Sequence, residues 1–124
     1  MNKIFKLVIA AVTALFLVGS VSACSSTPAL ELSEYAAVID VRTPGEVAMG
    51  HLDTSLHIDI QGGDFIGEIS QLDKSANYYI YCRSGNRAGQ AIDLMVQEGF
   101  TGTLTNGGSL EAAAAETGLQ IVQN

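Results

Sequence analysis

The sequence predicts an α/β domain: a central, mostly parallel sheet of four to five strands with helices on both faces. Three observations predict it. Short β-like runs alternate with helix-like runs from Ala36 to the C-terminal end. The connections between the β-like runs are helical, which suits parallel pairing covered on both sides. The clearest helical stretch follows directly on a strand ending at Cys82, a strand-to-helix junction where ligands bind in such sheets.

The elements follow in order. Ala36 to Val41 is a short apolar run and reads as a buried strand. Thr43-Pro44-Gly45-Glu46 then opens a short helix. Thr43 suits the N-cap, Pro44 the first turn, and Glu46 completes a capping box, with Gly50 as the stop. Leu56 to Ile60 reads as a second strand. Gln61-Gly62-Gly63 turns the chain, and Asp64 caps a helix that carries Phe65, Ile66, Ile69 and Leu72 on one face. Tyr78 to Tyr81 is a third strand running into Cys82, and Arg83 to Asn86 is a tight polar loop. Ala88, Ala91, Ile92, Met95 and Val96 recur at helical spacing, and Gly99 is a natural stop. Phe100 to Leu104 reads as a fourth strand. Asn106-Gly107-Gly108 turns, Ser109 caps a last helix to about Glu116, and Leu119 to Val122 either adds a short strand or packs.

The N-terminal end follows another logic. Residues 1–23 read as a signal peptide: Lys3 and Lys6 are basic, and Leu7 to Val18 is apolar but short for a membrane span. Val21-Ser22-Ala23-Cys24 resembles the lipobox of bacterial lipoproteins. That resemblance implies lipidation of Cys24 and a membrane anchor, with residues 24–33 as a tether before a domain at 34–124. Ser25 leans toward the outer membrane and a periplasmic domain in a bacterial cell envelope. An ordinary cleaved leader with an incidental Cys is the alternative.

Loss of Lys3 and Lys6 with the leader leaves four basic residues against 13 acids, a net charge of −9. Such a surface argues against nucleic acid and anionic membranes as partners. Two of the four cations, Arg83 and Arg87, stand beside Cys82. Half the positive charge on one loop points to an anion bound there. Two isolated His residues and no second free thiol once Cys24 is lipidated argue against a metal site, and no cofactor is expected.

Cys82-Arg83-Ser84-Gly85-Asn86-Arg87 has the makings of an activated thiol. An unperturbed thiol is only about 3% ionised at pH 7. Backbone N–H groups of Ser84 to Arg87 precede the first helical hydrogen bonds, so they are free to donate to an anion. Gly85 permits the backbone such a loop needs. Arg83 and Arg87 add full charges. A Cys82 thiolate in this cradle is a nucleophile.

Two stretches carry a family resemblance. One is Val38-Ile39-Asp40-Val41-Arg42-Thr43-Pro44-Gly45-Glu46 with Gly50-His51-Leu52; the other is Tyr79-Ile80-Tyr81-Cys82-Arg83-Ser84-Gly85-Asn86-Arg87-Ala88. The chain resembles a single-domain rhodanese, a thiosulfate sulfurtransferase. The resemblance implies a rhodanese-like α/β fold and a persulfide on Cys82. It implies a small anionic sulfur donor such as thiosulfate, and cyanide or a thiol as acceptor. Arg83 and Arg87 would line the substrate side of the loop, with Ser84, Gly85 and Asn86 completing it, and Asp40 and Arg42 would lie near the pocket floor. Two departures bear on the pocket rim. Asp53-Thr54-Ser55 stands where the family usually has Pro-Gly-Ala, and Ser109-Leu110 replaces the aromatic residue common after the final Gly-Gly.

Two rivals remain. A phosphatase or arsenate reductase needs Arg six positions after Cys, whereas Arg87 is five away and Tyr81 stands where phosphatases carry His. A non-catalytic persulfide carrier would keep every one of these residues. Asp40 and Arg42 read first as an ion pair or hydrogen bond at a strand end, His51 as fixing a turn, His57 as a strand-edge residue, and the tyrosines as sheet packing.

Overall fold

The computed structural model describes residues 30–123. The proposed signal peptide, Cys24 and most of the tether lie outside the described residues. Six strands and four helices follow a 3-10 turn at Leu32–Glu34: β1 (Ala37–Asp40), α1 (Pro44–Ala48), β2 (His51–Leu52), β3 (Leu56–His57), α2 (Phe65–Ile69), β4 (Tyr78–Tyr81), α3 (Asn86–Gln97), β5 (Leu104–Asn106), α4 (Leu110–Thr117) and β6 (Ile121–Val122).

β3, β1, β4 and β5 lie side by side in that order, all parallel. Ile39 of β1 faces Ile80 of β4 on one side and Leu56 of β3 on the other. The β4 strand is buried throughout, so successive side chains feed two separate cores. Tyr78, Ile80 and Cys82 pack with Ile39, Phe65, Ala91 and Met95 beneath α2 and α3. Tyr79 and Tyr81 pack with Val38, Leu52 and Ala113 beneath α4 and the N-terminal turn. The sheet is therefore covered on both faces. It has four strands, the lower predicted number, because the last stretch leaves it: β6 pairs antiparallel with β2, His51 opposite Val122.

The local signals for helix ends hold where they were strongest. Both halves of the Thr43–Glu46 capping box form, with Pro44 in the first turn. Ser109 accepts from the Ala112 N–H. Gly99 takes φ +93°, and Gly99 and Phe100 donate to the Val96 and Met95 carbonyls, closing α3 with a Schellman motif. Asp64 occupies the predicted cap position without a side-chain cap bond.

Four predicted elements differ in detail. The ladder of β3 is only two residues long, although Ile58 and Ile60 still donate to the Asp40 and Val41 carbonyls. The strand predicted at Phe100 to Leu104 starts at Leu104. Phe100 leaves the Schellman turn to stack edge-on against Tyr78 at 5.9 Å, and Gly102 lies directly on the Ala76 carbonyl. On the helices, Ile66 and Val96 follow the apolar period yet are exposed, at 40% and 59%. The helices bury a narrower stripe than the period suggested, centred on Phe65 and Ile69 in α2 and on Ala88, Ala91 and Met95 in α3.

Candidate active site

Cys82 follows β4 and precedes α3, at the carboxyl end of the sheet. Its N–H donates to the Gly108 carbonyl at 2.9 Å, and Gly107 N–H donates to the Ile80 carbonyl at 2.7 Å. The strand end is thus tied to the Asn106-Gly107-Gly108 turn. Asn106 extends the tie: its Nδ2 donates to the Gly85 carbonyl and its Oδ1 accepts from the Gly108 N–H, both at 2.9 Å. Gly85 sits at φ +95°, in the left-handed region, and a Cβ there would meet Gly108 Cα at 3.3 Å.

That geometry aims the backbone at the sulfur. Gly85 N–H donates to Cys82 Sγ at 2.9 Å and Ala88 N–H at 3.4 Å. Cys82 is fully buried, which pushes its thiol pKa up. The N–H groups of Ala88, Ser84, Gly85 and Arg87 favour the thiolate and outweigh that effect, so the pKa is lowered overall. The cradle predicted for residues 84 to 87 extends one residue further, to Ala88.

The arginines divide their duties. Arg87 does not stand free beside the thiol. Its Nη1 and Nη2 donate to Glu46 Oε1 and Oε2 at 2.7 and 2.9 Å, a bidentate pair. The Arg87 guanidinium holds the Glu46 carboxyl down to about 2. The full charge expected from Arg87 is therefore largely neutralised. Arg42 is buried in the expected pair with Asp40: Nε donates at 2.9 Å to Oδ1, Nη2 donates at 2.6 Å to Oδ2, and Nη2 also donates to the Gly50 carbonyl. The Arg42 guanidinium lies over the Tyr81 ring at 5.7 Å. Arg83, Ser84 and Asn86 are exposed, and Arg83 has no ion pair or hydrogen bond among the described residues.

A pocket of about 280 Å³ opens beside this loop, lined by Arg42, Glu46, Met49, Arg83, Leu110 and Glu111. Cys82 is not among its lining residues; Arg83, the next residue in the chain, is. Of the two departures expected to reshape the rim, one does: Leu110 is part of the wall. Asp53-Thr54-Ser55 does not. It turns between β2 and β3, where Thr54 lines a separate cavity with Tyr35 and Leu119.

The tyrosines pack the sheet as predicted. Tyr81 OH accepts from Leu52 N–H at 3.0 Å and lies on the face opposite the Cys82 side chain. Burial pushes the Tyr81 hydroxyl up to about 12. His57 Nε2 meets the Arg42 carbonyl at 2.7 Å, and His51 Nδ1 the Leu52 carbonyl at 3.0 Å. His51 lies in β2, and its Nδ1 also meets Ser55 Oγ at 3.5 Å across the following turn, the place expected of a residue that fixes a turn. No group of three metal-ligating side chains occurs among the described residues.

Sequence reasoning missed Glu46 as the partner of Arg87, Asn106 as the bolt of the loop, and Met49 and Glu111 as pocket walls. Glu46 and Arg87 stand 41 positions apart, and no local pattern joins them. The arrangement gathers one buried sulfur, backbone N–H donors that favour its thiolate, and a polar pocket at the adjoining Arg83.

Residues 28–116 match the model of the rhodanese-like domain. The chain belongs to the rhodanese-like domain family. It is 31% identical over 106 residues to a sulfurtransferase of Allochromatium vinosum, covering 86% of this chain and 96% of that protein. It is 32% identical over 76 residues to a thiosulfate sulfurtransferase, GlpE, of Pseudomonas paraeruginosa, covering 61% and 67%. A rhodanese-like domain of an Anabaena protein superposes with a TM-score of 0.61 at 26% identity, covering 71% of this chain and 92% of that one. A rhodanese with anions from E. coli shares the fold with a TM-score of 0.57 at 24% identity, covering 71% and 98%. Membership and these relatives support sulfur transfer, by an enzyme of the rhodanese type, as the general activity.

Proposed function

We propose that this rhodanese-family chain moves a sulfane sulfur from thiosulfate, or a similar small anionic donor, through a Cys82 persulfide to cyanide or a thiol. The hydrogen bonds from Gly85 and Ala88 N–H to Cys82 Sγ carry the reading. They stabilise the thiolate before substrate arrives, and fixed donors need no reorganisation when charge moves. The Cys82 thiolate attacks the outer sulfur of thiosulfate. A new S–S bond forms to Cys82, the donor's S–S bond breaks, and sulfite leaves with the electron pair. A nucleophilic acceptor then takes the outer sulfur and returns Cys82 to the thiolate.

The Arg87–Glu46 pair supports this over phosphatase-like chemistry. A phosphoryl group needs a guanidinium turned to its oxygens, whereas both outer nitrogens of Arg87 face a carboxylate. A persulfide carrier loaded by a partner protein is the second reading, favoured by the Arg87–Glu46 pair, which leaves the loop less free charge to draw a small anionic donor. Residues 1–23 and Cys24 add a proposal for place: a lipid-anchored protein of a bacterial envelope, facing the periplasm from the outer membrane. Fatty-acid labelling that persists in Cys24→Ala would overturn that anchor.

Intact mass after incubation with thiosulfate tests the chemistry. A gain of about 32 Da, absent in Cys82→Ser, is expected for a persulfide. Thiocyanate formation from thiosulfate and cyanide by the folded Cys82→Ser variant would sink the mechanism. Slow loading from thiosulfate with rapid discharge to acceptors would move the reading to the carrier.

A further inference from the structure

The pocket beside Cys82 holds more charge than a small donor requires. Four of its six lining residues are ionic: Arg42, Glu46, Arg83 and Glu111. Two of these are already matched inside the fold, Arg42 by Asp40 and Glu46 by Arg87. Arg83 and Glu111 are not. Each is exposed, and neither has an ion pair among the described residues, with each other or with anything else. They come from different elements, Arg83 from the loop after β4 and Glu111 from the first turn of α4. Met49 and Leu110 complete the wall, and Met49 is 79% exposed. The pocket therefore presents one unmatched cation, one unmatched anion and an apolar strip.

We propose that this pocket is the acceptor subsite and that it selects a zwitterionic thiol, an α-amino-acid-type thiol carrying both a carboxylate and an ammonium. The proposal rests on the reading of Cys82 as the sulfur carrier. Arg83 takes the carboxylate, Glu111 takes the ammonium, and Met49 and Leu110 cover the carbons that lead from these groups to the thiol. Ligands of single charge fit less well. A lone anion meets Glu111 and the strongly acidic surface, and a lone cation meets Arg83. Cyanide, with two atoms, uses almost none of the roughly 280 Å³. The thiol sulfur reaches the outer sulfur of the Cys82 persulfide from the side. It forms a new S–S bond there while the Cys82 Sγ–S bond breaks. Cys82 leaves as the thiolate held by Gly85 and Ala88, and the thiol proton remains on the product persulfide.

Glu111→Gln tests the subsite because Glu111 makes none of the hydrogen bonds that hold the loop. Turnover with thiosulfate as donor is measured for cysteine, cysteamine, 3-mercaptopropionate, 2-mercaptoethanol and cyanide. The ratio of variant to wild type cancels the intrinsic reactivity of each thiol. An exposed ion contact is worth about 1.4- to fivefold. Loss of that size is expected for cysteine and cysteamine, with no loss for 3-mercaptopropionate, 2-mercaptoethanol or cyanide. Equal loss across all five, or none for cysteine, would overturn the proposal. A second arm needs no turnover. S-methylcysteine keeps both charges but has no thiol to react. It should give a saturable shift of the Met49 methyl resonance in the full chain, weakened in Glu111→Gln. A shift that never saturates, or one that propionate or ethanolamine reproduces, refutes the subsite. Failure of thiosulfate to load Cys82 would instead refute the donor reading and leave this binding measurement to decide the subsite.

Discussion

Glu46→Gln isolates the charge in the bond between the Cys82 loop and α1. Glutamine is nearly isosteric and can still serve the capping box with Thr43, so the helix cap survives. What disappears is the carboxylate facing Arg87. The folded Glu46 carboxyl is held at about 2 against an ordinary value of 4.5. At 1.36 kcal/mol per pH unit that displacement sets a ceiling of about 3 kcal/mol. Both side chains are partly exposed, 19% for Arg87 and 27% for Glu46, so solvent screening reduces the expected loss to about 1–2 kcal/mol at pH 7. The sign with pH is fixed by the direction of the shift. A depressed carboxyl stabilises fully above its unfolded value and loses that contribution as pH falls toward its folded one. The penalty of Glu46→Gln should therefore be full at pH 7, shrink below about pH 4.5, and vanish near pH 2. Urea unfolding of wild type and variant at pH 7 and at acid pH measures it as a difference, which cancels the other carboxylates. An equal penalty at both pH values, or none at pH 7, would show that the pair contributes no charge-dependent stability.

Three other perturbations have defined outcomes. Gly85→Ala places a side chain at φ +95° and 3.3 Å from Gly108 Cα. It should cost about 1–2 kcal/mol and raise the pH at which Cys82 is alkylated, followed by peptide mass; an unchanged alkylation profile would contradict the role given to the Gly85 N–H. Arg87→Ala leaves the Glu46 carboxylate unpaired beside the loop and should lower kcat/KM for thiosulfate about tenfold. Lys74→Ala removes only a contact to the Glu98 carbonyl and the Phe100 ring, so equal losses in the two variants would point to general electrostatics. Thr54 holds φ +68°, a left-handed conformation costly for a β-branched residue, and its side chain is exposed. Thr54→Gly should stabilise by about 1 kcal/mol in urea unfolding, and a destabilisation would show that Thr54 makes contacts worth more than its strain.

Legibility in the sequence followed the range of the physics involved. Caps and stops are decided within a few residues, so Thr43 with Glu46, Ser109 and Gly99 could be read directly. The burial of β1 and β4 followed from apolar runs whose sides alternate. The position of Cys82 followed from the strand-to-helix junction. Burial of a helix flank is settled by its neighbours, so Ile66 and Val96 were misplaced. The start of β5 was settled by Phe100 turning to Tyr78, a contact between elements more than 20 positions apart. Asn106 read as a turn residue, and it is one. Its second function, gripping the Gly85 carbonyl, exists only because β5 lies beside β4.

Charge was the least legible feature, because composition counts cations without their partners. Four basic residues looked like an anion trap with two of them at Cys82. In the structure Arg87 is answered by Glu46 and Arg42 by Asp40, while Lys74 caps the Glu98 carbonyl far from the loop. Formal charge therefore contributes less to thiolate stability than expected, and the backbone N–H groups of Ser84, Gly85, Arg87 and Ala88 contribute more. These donors are fixed and partly buried, so salt screens them weakly. Glu46 then has a structural reason to be where it is. By neutralising Arg87 it keeps that guanidinium from clamping an anion at the loop, and it leaves the loop rigid but only mildly attractive to anions. A carrier must release what it binds twice in each cycle. A thiolate held by dipoles, beside one exposed arginine at the pocket edge, meets that requirement better than a cluster of bare cations would.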